Sequence, residues 1–129
     1  MQVQARKVRV EVFTIEMRED GILHLHADAD KTITMELYRK MIDTIGEITD
    51  GRKVPMLSTT DELTIPDDEV REYMIKPEAN PYCVANALVA PSLAQKLIGN
   101  ILIRIMKTAR PIRLFRTRED AIEWLKSYL

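Results

Sequence analysis

His24 and His26 stand two residues apart. In an extended strand alternate residues project to the same side, so the pair has a spacing that two metal ligands can use. The sequence offers no identifiable third ligand, and the expectation is two histidines on a solvent-facing or lightly packed sheet face, with no metal and no cofactor. A second chemical feature is a basic stretch. Residues 79–118 contain no Asp or Glu but carry Lys96, Arg104, Lys107, Arg110, Arg113, Arg116 and Arg118. The chain as a whole has a net charge of -1, so this segment is offset by an acidic remainder. Such separation suits an acidic partner, an anionic ligand or a second copy of the chain.

Other reactive types are sparse. Cys83 is the only cysteine and is followed by the apolar Val84-Ala85, so it reads as a small buried residue with no base beside it. A lone cysteine excludes an intrachain disulfide or a cysteine metal cluster and fits a reducing cytoplasm. The four glycines, at 21, 46, 51 and 99, are isolated, so there is no Gly-rich phosphate loop. Asp61, Glu62 and the two histidines are the remaining groups whose relation only the fold decides. The expectation is a protein that is not an enzyme.

The elements that must position these groups are legible in the periodicity. Val8, Val10 and Val12 alternate with Arg9 and Glu11, and Phe13, Ile15 and Met17 continue on the opposite parity, which predicts one strand bent near Val12. A turn over residues 18–21 leads to a second strand over 22–27, giving a hairpin. Thr34 is the expected N-cap of a helix to about Thr49, with Leu37, Met41, Ile45 and Ile48 on its apolar stripe and Asp50-Gly51 closing it. A short strand over 54–58 precedes a helix whose N-cap is Asp67 and whose buried face holds Val70, Tyr73 and Met74. Residues 84–90 predict a central strand covered on both faces. A broadly apolar helix follows from the N-cap Ser92, with Leu93, Leu97, Ile98, Ile101, Leu102 and Ile105 inside. A strand over 111–115 and a final helix after Thr117, burying Ala121, Ile122, Leu125 and Leu129, complete the chain.

The order is β-β-α-β-α-β-α-β-α in a single domain of 129 residues, an α/β fold with an N-terminal antiparallel hairpin followed by parallel strands. The segments EDGILHL, ITDGRKVPML, EVREYM, LIGN and RPIRLFRTREDAIEWLKSYL, with their spacing, resemble the small bacterial STAS-like or SpoIIAA-like proteins, most of them uncharacterised. The resemblance covers nearly the whole chain and implies the fold of the anti-sigma-factor antagonists. In those antagonists a Ser or Thr at the start of the second helix is phosphorylated by a partner kinase. Here the matching region reads Ile65-Pro66-Asp67-Asp68, with carboxylates in place of the hydroxyl and Thr64 as the nearest acceptor. Thr64, Asp67 and Asp68 are therefore the candidate switch-loop residues.

Open α/β sheets bind ligands outside the carboxyl ends of their strands. By that rule the helix start at Ser92, with Lys96 one turn on, is a candidate whose backbone N–H groups are able to hold a phosphate. The basic residues Arg104, Lys107, Arg110, Arg113 and Arg116 around the end of the third helix and the last strand are the further candidates for an anion or a partner. The expected role is a non-catalytic regulatory or protein-interaction module, cytoplasmic, with a protein partner or a second copy of itself. The alternative is a binder of an anionic small molecule or lipid head group. Nucleic acid is not an expected partner, because the basic segment holds only Phe115 as an aromatic and the chain is not basic overall. The apolar run after Val84 is broken by polar and charged residues, so no stable membrane insertion is expected either.

Overall fold

The computed structural model describes residues 6–28, 33–61, 66–90, 92, 93, 96, 97, 100 and 110–129. Six strands form one sheet: β1 (Arg6–Val10), β2 (Phe13–Met17), β3 (Leu23–Ala27), β4 (Val54–Thr60), β5 (Cys83–Val89) and β6 (Ile112–Phe115), in that spatial order. The first three are antiparallel neighbours, and β3 to β6 run parallel. Helices α1 (Met35–Thr49), α2 (Asp68–Met74) and α3 (Arg118–Lys126) accompany them, with a 3₁₀ turn at Pro77–Ala79. Among the described residues no helix is long and apolar enough to cross a membrane.

The α/β class, the opening antiparallel pairing and the later parallel strands are as the periodicity predicts. The first strand is not. In place of one bent strand, the chain reverses at Glu11-Val12, so that Val10 pairs with Phe13 and Val8 with Ile15. Glu11 takes a left-handed φ of 52° to make the turn. A two-residue reversal changes the parity of the apolar positions just as a bulge does, and this is why the two read alike in sequence.

Two cores lie on opposite faces of the sheet. On one, Phe13, Ile15, Met17 and Leu23 meet Leu37, Tyr38, Met41, Ile45 and Ile48 of α1 and Val70 of α2. Thr34 caps α1 by accepting from Leu37 N–H, and Asp50 ends it in the left-handed conformation. On the other face Leu57, Ala85, Ala87 and Val89 pack against Ala121 and Leu125 of α3. Small residues on β5 let α3 approach closely.

Three leucines expected inside lie outside. Leu129 is 64% exposed because the chain leaves α3 before it, and Leu93 and Leu97 are 63% and 57% exposed. Positions 93, 96, 97 and 100 are helical, as expected after Ser92, while Ile98, Ile101, Leu102 and Ile105 lie outside the described residues.

Candidate functional site

β3 alternates strictly. Leu23 belongs to the α1 core and Leu25 packs against it, which sends His24 and His26 to the α3 side of the sheet. Parallel pairing with β4 sets His26 beside Thr59 and Ala27 beside Thr60. The Thr59 hydroxyl then meets both rings, at 2.7 Å from His24 Nε2 and 2.7 Å from His26 Nδ1. The other nitrogen of His26 lies 3.0 Å from Asp61 Oδ1.

The direction of these hydrogen bonds follows from where each ring carries its hydrogen. A carboxylate only accepts, so His26 Nε2–H donates to Asp61. With that single hydrogen on the ring, Nδ1 accepts from the Thr59 hydroxyl, whose oxygen accepts in turn from His24 Nε2–H. Every hydrogen in the chain His24, Thr59, His26, Asp61 has one destination.

Arg116 and Arg118 complete the surroundings. Both follow the carboxyl end of β6, around Thr117, which caps α3 by accepting from Asp120 N–H. Together with His24, His26, Thr59, Thr60 and Val89 they line an open pocket of about 290 Å³ across the carboxyl ends of β3, β4 and β5. His24 is pushed down to about 4, first by burial and then by the charges of Arg118, His26, Arg18 and Lys7. Its ring is therefore neutral at physiological pH and sits in a positive field. Just past the carboxyl end of β3 Arg9 pairs with Asp28, and the hydrogen bond holds the Asp28 carboxyl below its usual range.

A second cavity, of about 190 Å³, opens on the α1 side. Phe13, Tyr38, Met41, Met56 and Ile112 make it largely apolar, with Asn86 and Arg110 as polar members. Ser58 donates to Asn86 Oδ1 at 2.7 Å, which ties the two side chains together in the wall. Cys83 also faces it, and burial pushes its thiol up to about 12, which disfavours the reactive thiolate form.

The candidates named from sequence are dispersed. Arg116 reaches the histidine pocket. Arg110 instead lines the apolar cavity and donates to the backbone oxygens of Lys76 and Pro77, closing the end of the α2 segment. Arg113 lies 5.4 Å from the centre of the Phe115 ring. Ser92 is exposed and its carbonyl accepts from Lys96 N–H, the first turn of a helix. Arg104, Lys107 and Thr64 lie outside the described residues. Asp67 occupies the N-cap of α2 without a side-chain cap bond, and Asp68 pairs with Arg71 one turn on. Thr59, Asp28 and Arg118 joined no candidate site in the sequence reading. Asp28 had a signal, since it continues the alternate spacing of His24 and His26.

The fold and the family agree with the resemblance. One solved structure, an uncharacterised protein of the DUF3478 family with a SpoIIAA-like fold from Shewanella loihica PV-4, is similar over 95% of this chain and 92% of its own, at TM-score 0.50 and 17% identity. A protein of unknown function from Arthrobacter sp. FB24 aligns over 86% of this chain and 96% of its own, at TM-score 0.32 and 23% identity. A comparison with curated proteins finds no match. The family model for the domain of unknown function DUF7793 matches residues 2–129, and the chain belongs to that family. At 17% identity the Shewanella likeness establishes a SpoIIAA-like fold and nothing about activity.

Proposed function

We propose that this DUF7793 domain is a non-catalytic regulatory module of STAS-like type that contacts a protein partner and seats an anionic group of that partner among His24, Arg116 and Arg118. The carrying observation is the convergence of two arginines and two hydrogen-bonded histidines on one open pocket. A guanidinium fork matches phosphate and carboxylate geometry, and a neutral imidazole adds a donor or acceptor without a charge to neutralise. The compartment this reading assigns is the cytoplasm, and neither nucleic acid nor an inserted membrane segment enters it.

Binding is favoured over turnover by the state of Thr59. Thr59, His26 and Asp61 repeat the order of a hydroxyl–imidazole–carboxylate triad. The oxygen that would attack, however, already accepts a hydrogen bond from His24, which ties up a lone pair and lowers its nucleophilicity.

A partner captured from the native host should be released by inorganic phosphate and lost with the double variant R116A/R118A. A partner retained by that variant, or a strictly monomeric chain that captures nothing, would contradict the reading. A free anionic small molecule or lipid head group is the second reading, favoured by a pocket volume of about 290 Å³. Native mass spectrometry showing a bound anion of defined mass, with no protein partner, would select it.

A further inference from the structure

The register of β3 and β4 brings a third group to His26. Ala27 pairs with Thr60 at the ends of the two strands, and the residues that follow them in the chain are Asp28 and Asp61. Backbone bonds hold both in place: Asp28 N–H donates to Val12 C=O at 2.9 Å and Asp61 N–H to Ala27 C=O at 3.2 Å. One nitrogen of His26 and one oxygen from each carboxylate all lie within 4.8 Å of one another. Ligands on one transition-metal ion, each about 2.0–2.2 Å from it, are roughly 3 to 4.4 Å apart. Side-chain adjustments of a few tenths of an ångström would therefore place all three on one ion.

We propose that His26, Asp28 and Asp61 form a site for a single divalent first-row cation. One imidazole nitrogen with two carboxylate oxygens suits manganese, iron(II) or zinc, with water filling the remaining positions. Arg9 now supplies the positive charge beside Asp28. That pair is solvent-exposed, at 53% and 36% for the two side chains, so a divalent ion can displace the guanidinium at small cost. This site stands independently of the anion-binding reading.

Occupancy would also reset the hydrogen bonds that lead away from the site. To ligate, His26 Nε2 must give up its hydrogen, and the neutral ring then carries it on Nδ1. Nδ1–H now donates to Thr59 Oγ, and the Thr59 hydroxyl turns to donate to His24 Nε2. His24 must move its own hydrogen to Nδ1. No proton is gained or lost overall, and the metal is sensed two residues away as a change of tautomer in the anion pocket.

The test uses the untagged full chain after chelator treatment. Mn²⁺ titration followed by electron paramagnetic resonance should show one bound ion per chain, with H26A and D61N each weakening it at least tenfold. R9A, which removes the competing cation, should tighten binding by up to about fivefold. Zn²⁺ should move the His24 imidazole ¹⁵N resonances from the Nε2–H to the Nδ1–H pattern, and this shift should vanish in T59V. No bound Mn²⁺ at millimolar concentration, or binding unchanged in both H26A and D61N, would overturn the proposal. R9A that fails to tighten binding would also count against it, and that variant leaves all three ligands intact.

Discussion

Replacing Thr59 by Val removes one hydroxyl and almost no volume, and it isolates the two histidines from each other. The hydroxyl makes two hydrogen bonds of 2.7 Å each, at a half-buried position on the sheet. A neutral hydrogen bond contributes a net of about 0.5–1.5 kcal/mol, and the partly exposed rings recover some of that from water. The expected loss is about 1–2 kcal/mol, or roughly 4–8 °C in Tm for a domain of this size. Valine is at least as good a strand residue as threonine, so propensity alone predicts no loss. Urea unfolding of T59V and the parent would give the difference, and phosphate titration should show weaker binding because both rings are free to turn. A T59V chain that is as stable as the parent and binds phosphate equally well would refute the hydrogen-bond assignment.

Three further outcomes follow from the same structure. Cys83 is buried and its thiol is pushed up to about 12, so a thiol reagent at pH 8 should label it only at the rate of global unfolding. Leu125 is fully buried against β5, and Leu125→Ala should cost about 2–5 kcal/mol by chemical denaturation. Burial alone would raise the Asp20 carboxyl, but hydrogen bonds from Arg18 and Ile22 N–H and the Arg18 charge outweigh it and lower it. Its stabilisation is therefore complete above the unfolded carboxylate range and is lost as pH falls through the depressed native value. Asp20→Asn should destabilise at pH 7 and converge on the parent in acid, which a series of unfolding curves against pH would show.

Much of the fold was legible because it rests on local periodicity. Thr34 and Thr117 cap their helices and the stripe Leu37, Met41, Ile45, Ile48 faces the core, all set by side-chain spacing within one element. The reversal at Glu11-Val12 was not, since nothing in that pair signals a left-handed residue as glycine would. For the site, the sequence yielded the two histidines on one face, and proximity to strand ends pointed to Arg116. Thr59 and Asp61 depend on the register between β3 and β4, which lies more than thirty residues apart in the chain. The basic stretch dispersed for a related reason: Arg110 precedes β6, Arg113 lies within it and Arg116 follows it, so each meets a different neighbour.

The central claim is that one pocket, between the two histidines and the two arginines, receives an anionic group. Titrating inorganic phosphate into ¹⁵N-labelled chain tests it most directly. The predicted result is saturable movement of the resonances of His24, His26, Thr59, Arg116 and Arg118, abolished in R116A/R118A. Shifts confined to Ser92, Lys96 and Arg110, or no saturable shift at all, would contradict it.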